Sequence, residues 1–194
     1  MARIAIVTGA ASGIGQALAS ALAARGDTVI VADIDGDGAE RAARQLARHG
    51  TGTATPATVD ARDAAAVPGP GRRHPRQVRP PGRDGEQRRH RRRRRGLLLA
   101  HWDRGIDVNL RGVVHGVHAA YTVMIAQRSG HIVNTASLAG LLPAPGLTPY
   151  AMTKHAVVGL SLSLRAEAAA YGVRVTAVCP GFVDTPDPGQ GRPR

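Results

Sequence analysis

The first 25 residues confine this chain to a narrow set of architectures. Arg3 to Val7 is an apolar, partly β-branched run, Thr8 to Gly15 is a turn holding three glycines, and an alanine-rich stretch follows to about Arg25. A short apolar run that breaks into glycines and then into good helix formers predicts strand, tight turn and helix. Thr28 to Ala32 repeats the apolar run and ends in Asp33, with a second alanine-rich stretch from about Gly38 to Gly50. Thr53 to Val59 reads as a third strand, ending at Asp60. Strands joined through helices pair in parallel, because a parallel neighbour needs a crossover and the helix supplies it. An α/β fold with a doubly wound parallel sheet is expected.

The same alternation returns later. The pattern predicts an amphipathic helix from His101 through Gln127, a strand at His131 to Thr135, a helix from Pro149 to about Tyr171 and a strand at Val173 to Val178. Residues 67–96 show no period of 2 or 3.6 and hold 12 of the 25 arginines and five of the 13 prolines, so disorder is expected there. The formal net charge of +12 belongs almost wholly to this stretch, where 12 arginines between Gly71 and Gly96 face only Asp84 and Glu86. The expected organisation is one domain over residues 1–186, interrupted at 67–96, with a disordered tail at 187–194. The lone Cys179 cannot form an internal disulfide, no export signal opens the chain, and no apolar stretch approaches the roughly 20 residues of a membrane-spanning helix. A soluble cytoplasmic protein without a membrane partner is expected.

Two features point to a dinucleotide. Gly9, Ser12, Gly13, Ile14 and Gly15 lie where a strand becomes a helix, so backbone amides and the helix dipole can face a pyrophosphate. Such a turn also serves simply to close a strand onto a helix. Asp33, at the end of the second strand, can accept hydrogen bonds from ribose hydroxyls and repel a 2′-phosphate, which favours NAD over NADP. No basic residue stands within the turn to meet such a phosphate.

Ser137, Tyr150 and Lys154 follow the spacing Ser-x12-Tyr-x3-Lys. Tyr and Lys at i and i+4 share a helix face. A phenol, with a pKa of about 10, needs a nearby cation to exchange protons near neutral pH. Lys154 can be that cation, and Ser137 can hold a substrate oxygen while Tyr150 passes the proton. The apolar residues Leu138, Leu141, Leu142, Pro143 and Leu147 are a candidate substrate wall. His115 and His118 are read as surface or packing histidines, since no Cys or carboxylate joins them at metal-ligand spacing. Trp102 is expected to anchor packing and Cys179 to be a small buried side chain.

Glycine turn, serine, and Tyr-x-x-x-Lys pair together resemble the short-chain dehydrogenase/reductase family. The resemblance extends to Asp107-Val108-Asn109-Leu110 and to Cys179-Pro180-Gly181-Phe182-Val183-Asp184-Thr185. It implies a Rossmann-like fold and a hydride exchanged between NAD(H) and a small alcohol or ketone. It implies that Asn109 joins Ser137, Tyr150 and Lys154 in catalysis through a water that links the lysine to solvent. Pro180, Gly181, Val183 and Thr185 would lie beside the nicotinamide, Asp60 near the adenine, and the helices bearing Asn109 and Tyr150 would pair subunits into a homodimer or homotetramer.

The chain departs from the family where an Asn-Asn-Ala-Gly turn after a fourth strand is due. Back-translated from Gln77 to His90 and read one base later with third bases free, the stretch can spell Arg-Phe-Gly-Arg-Leu-Asp-Val-Met-Val-Asn-Asn-Ala-Gly-Ile. Residues 187–191 shift in the same way to Ile-Leu-Asp-Lys-Gly. Both segments are therefore read as out of frame, with the fourth and last strands expected to be missing. Two other readings stay open. One is an inactive fragment of such an enzyme; the other is non-specific nucleic-acid binding through Arg88 and Arg91 to Arg95. Aromatic content of 3% leaves little to stack on bases, so no specific nucleic-acid partner is expected.

Overall fold

The computed structural model describes residues 3–49, 52–67 and 99–183. The expected fourth strand, the Arg-rich stretch from residue 68 onward, Thr185 and the 187–194 tail lie outside them. The described chain gathers into two compact units, one ending at Asp60 and one beginning at Ala61.

The first unit is built on strands β1 (Ile4–Thr8), β2 (Thr28–Asp33) and β3 (Ala54–Thr58), paired in parallel in the order β1-β2-β3. Helices α1 (Gly13–Ala24) and α2 (Gly36–His49) make the crossovers. Small residues let these helices approach the sheet closely. Ala19 and Ala23 of α1 stand at i and i+4, and Ala39, Ala42, Ala43 and Leu46 of α2 form a stripe at i, i+3, i+4 and i+7. All six are buried with Val7, Val29 and Val31 of the sheet. The buried Asp27 is paired with Arg3 at 3.4 Å.

In the second unit β4 (Gly130–Thr135) and β5 (Val173–Val178) form a parallel pair, with Gly130 opposite Val173 and Thr135 opposite Val178. Helices α3 (Leu99–Gly105), α4 (Gly112–Gln127) and α5 (Thr148–Ala168) complete it. Ile132, Val173 and Val175 pack with Leu164 and Ala168 of α5 and, from α4, with the half-buried Val117, Tyr121 and Met124. The opposite face of β4, carrying His131, Val133 and Thr135, is exposed.

Element order matches the sequence pattern, with two differences. The stretch read as one helix from His101 to Gln127 is divided by a π-helical turn at Ile106–Arg111. The last turn of the 149–171 helix tightens into a 3-10 helix at Ala169–Tyr171. Hydrophobic periodicity reports which face is buried and does not register one extra residue per turn; π-turns occur often at functional sites. Among the described residues no helix is long and apolar enough to cross a membrane.

Candidate active site

The candidate residues fall into two groups, one in each unit. In the first, β1 ends at Thr8 and α1 begins at Gly13. Gly9 and Gly13 have positive φ, 68° and 55°. A Cβ on Gly15 would run into the Gly9 carbonyl oxygen and lie 2.7 Å from its carbon, so only glycine lets the helix start this close to the strand end. Ser12, at the N-cap, is extended (φ −157°, ψ 172°) and gives the helix no side-chain cap, and no acidic residue stands in the first turn. The first-turn amides therefore present their positive end without a side-chain anion of the chain's own.

Asp33 joins this turn to the next loop. Its Oδ2 accepts the Ala11 N–H at 3.0 Å and its Oδ1 accepts the Asp35 N–H at 3.0 Å. Ile14 is 42% exposed at the start of α1, and Asp60 is half-buried just after β3.

In the second unit the loop after β4 is stitched to the loop after β5. Ala136 donates to the Val178 carbonyl and Leu138 to the Pro180 carbonyl, each at 2.8 Å. Ser137 caps a short 3-10 turn, its Oγ accepting the Ala139 N–H at 3.2 Å. Gly140 rests on α5, where a Cβ would stand 2.6 Å from the Lys154 carbonyl oxygen. These contacts bring Ser137, Pro180 and Gly181 to one end of the β4–β5 pair, beside α5. Val183 is half exposed in the chain leading away.

Pro149 sits in the first turn of α5, where its missing N–H costs nothing, and Tyr150 and Lys154 follow one turn apart. Lys154 Nζ donates to the Thr135 carbonyl at the end of β4 at 2.9 Å. It stands 5.6 Å from the centroid of the Tyr150 ring, within cation–π range. Burial holds the Lys154 ammonium below the ordinary lysine value, and the charge of a Cys179 thiolate would act the other way. Asn109 lies in the π-helical turn, and its Nδ2 donates to Thr153 Oγ1 at 3.4 Å.

Several readings are refined by the structure. Cys179, expected to be buried, is half-buried, because it follows the last residue of β5 and leaves the sheet. His115 packs, with Nδ1 2.9 Å from the Ala61 carbonyl oxygen. Gly140, Thr153 and the Thr135 carbonyl were not singled out from the sequence; an isolated glycine three residues after Ser137 was the one available signal. A concavity of about 430 Å3 beside Arg41, Arg44, Gln45 and Arg48 of α2 holds none of the candidate residues and is lined by a single solvated helix face. Among the described residues no cluster of three or more His, Cys, Asp or Glu could hold a metal ion.

Residues 3–69 and 90–190 match the family described as short chain dehydrogenase, with a break across 70–89. The chain is 34% identical over 191 residues to a cyclohexanol dehydrogenase of Acinetobacter sp. (strain SE19), covering 95% of this chain and 74% of that protein. It is similar to the crystal structure of a 3-oxoacyl-[acyl-carrier protein] reductase with bound NAD from Brucella melitensis, with a TM-score of 0.76, 31% identity and coverage of 95% of this chain and 72% of the other. A relative from Beutenbergia cavernae, solved with bound NADP at low occupancy, gives a TM-score of 0.77 and 32% identity over 95% of this chain and 74% of its own. The fold is the Rossmann-like α/β fold of these structures, and the chain belongs to the short chain dehydrogenase family of oxidoreductases.

Proposed function

We propose that this chain is an NAD-dependent oxidoreductase that interconverts a small alcohol and its ketone, with Tyr150 as general acid and base. The observation that carries the reading is the Lys154 ammonium, anchored on the Thr135 carbonyl at 2.9 Å and 5.6 Å from the Tyr150 ring centroid. With that cation one helix turn away, Tyr150 is the group that takes the alcohol proton or returns it to a ketone. Ser137 Oγ, fixed by its bond from Ala139, holds the substrate oxygen. Asn109 supports the return of the proton from Lys154 through water to solvent.

The cofactor fits the first unit on two observations: the glycine approach that a Cβ on Gly15 would fill, and the helix start without a side-chain cap. Gly9, Ser12, Gly13, Ile14 and Gly15 are assigned to the pyrophosphate, Asp33 to the adenosine ribose and Asp60 to the adenine. Pro180, Gly181, Val183 and Thr185, with Asn109, Tyr150 and Lys154, are assigned to the nicotinamide end. When bound, the nicotinamide accepts or supplies the hydride of the substrate carbon. Relatives carry NAD in one structure and NADP in another; the Asp33 carboxylate, opposed to a 2′-phosphate, favours NAD here. Leu138, Leu141, Leu142 and Leu147 are exposed in the stretch of chain between Ser137 and Tyr150, which fits an apolar substrate like that in the name of the Acinetobacter relative.

Helix α4 is apolar along its length, yet none of its residues is buried in the single chain. An apolar helix covered on one side only marks an interface, which supports a homodimer or homotetramer through α4 and α5.

The break in the family match across residues 70–89 favours a second reading, in which this stretch is out of frame and the chain no longer turns over. Thermal melting of the purified chain separates the two. A cooperative melt raised by NADH, and raised less by NADPH, together with cyclohexanol oxidation followed by NADH absorbance, is expected. No transition and no cofactor effect would establish the second reading, and resequenced coding DNA without small insertions or deletions near codons 67, 96 and 186 would remove its frameshift explanation.

A further inference from the structure

Helix α5 carries two buried hydroxyls that the acid–base chemistry does not use. Thr153 is 0% exposed and Ser161 2%. Each donates its proton to a carbonyl of its own helix, Thr153 to Tyr150 and Ser161 to Val157, both at 2.7 Å. Each then accepts a side-chain amide from another element. Asn109 of the π-helical turn donates to Thr153 at 3.4 Å, and Asn134 of β4 donates to Ser161 at 3.0 Å.

A hydroxyl has one proton. With that proton committed to a helix carbonyl, the oxygen can only accept, so the facing carboxamide must present its NH2 group and not its oxygen. Thr153 therefore decides which way round the Asn109 amide lies, and it does so from the turn of α5 between Tyr150 and Lys154. Its methyl faces Gly105 at the end of α3, 3.9 Å from where a Cβ would stand. The threonine thus lies beside the start of the π-helical turn as well as against Asn109 within it.

We propose that Thr153 is a positioning residue that orients the Asn109 carboxamide and ties it to the Tyr150 backbone. Its importance for turnover rests on the proposed function, because that reading gives Asn109 and Tyr150 their roles. The Ser161–Asn134 pair has the same bonding about two turns further along α5 and includes no candidate site residue, which makes it an internal control.

The chain contains two asparagines, Asn109 and Asn134. Isotopic labelling of the asparagine side-chain nitrogen in the full chain therefore gives one NH2 pair for each, assigned with Asn109→Ser. Thr153→Val keeps the shape and removes the hydroxyl. It is expected to displace the Asn109 pair and speed its proton exchange roughly fivefold, with the Asn134 pair unmoved. Thr153→Ser is expected to return the pair to its place, and Ser161→Ala to displace the Asn134 pair instead. Should Thr153→Val fail to fold, Thr153→Ala against Thr153→Ser makes the same comparison. An Asn109 pair that does not respond, or a serine variant as displaced as the valine or alanine one, overturns the proposal. These spectra need no turnover, so a responsive Asn109 pair in a chain that oxidises no alcohol supports the clamp and overturns the acid–base reading alone.

Discussion

The Asp33 carboxylate accepts the Ala11 N–H at 3.0 Å, so one side chain at the end of β2 reaches the glycine turn twenty-two residues earlier. In the proposed function the same charge opposes a second phosphate on the ribose. Asp33→Asn keeps an acceptor for Ala11 and removes the charge. It is expected to lower the preference for NADH over NADPH by about tenfold or more, read from tryptophan fluorescence titrations with each cofactor. An unchanged ratio would show that Asp33 braces the turn without selecting the cofactor.

Tyr150→Phe removes the proposed proton carrier and keeps the ring beside Lys154. Alcohol oxidation is expected to fall by roughly 10²- to 10⁴-fold, while the rise in melting temperature with NADH stays. Lys154→Met, which also breaks the bond to the Thr135 carbonyl, is expected to lower turnover at least as far. Wild-type rates in either variant would remove the acid–base assignment.

Gly140 is placed where a Cβ would meet backbone, 2.6 Å from the Lys154 carbonyl oxygen and 2.8 Å from its carbon. Backbone cannot swing aside as a flexible side chain can, so Gly140→Ala is expected to cost about 1–3 kcal/mol, measured by urea denaturation. Because the displaced loop carries Ser137, turnover should fall with it.

Partial desolvation of the ring first, and the Arg174 charge second, hold the exposed His131 imidazole below its ordinary value of 6.5. Between the folded value and 6.5 the unfolded chain binds more protons than the folded one, so stability rises with pH across that window and levels above it. Arg174→Gln is expected to move the His131 titration part of the way back toward 6.5 and narrow the window, as followed by imidazole resonances and melting temperature against pH. A titration that stays in place would assign the whole shift to partial desolvation.

Val114 is 42% exposed on α4, a helix with no buried residue in the single chain. Val114→Glu would put a charge into the proposed subunit contact, where an unpaired buried charge is costly. The variant is expected to sediment at a lower mass than the parent chain. Equal masses would place the contact elsewhere.

Much of the fold is legible in the residue pattern. Strand β5 appears over the residues expected, and β1, β2, β3, β4, α1, α2 and α5 within one or two residues at most ends, because side-chain periodicity and glycine turns act over a few neighbouring positions. The glycine turn, Asp33 and the Tyr150–Lys154 pair could be placed on their elements for the same reason: their spacing is local. The amino-acid sequence by itself thus determined the order of strands and helices, and the placing of Tyr150 and Lys154 one turn apart on one helix.

What it left undetermined joins positions far apart in the chain. Thr153 meets Asn109 across 44 residues, Lys154 reaches Thr135 across 19, and Gly140 rests on the α5 backbone. No period or spacing reports such pairs, since they exist only once the helices pack on β4 and β5. The π-helical turn at Ile106–Arg111 belongs with them, since the spacing of apolar residues over one short turn does not reveal it. Tertiary packing alone decided which polar groups face one another, because a hydrogen bond depends on distances of a few tenths of an ångström that no local preference sets.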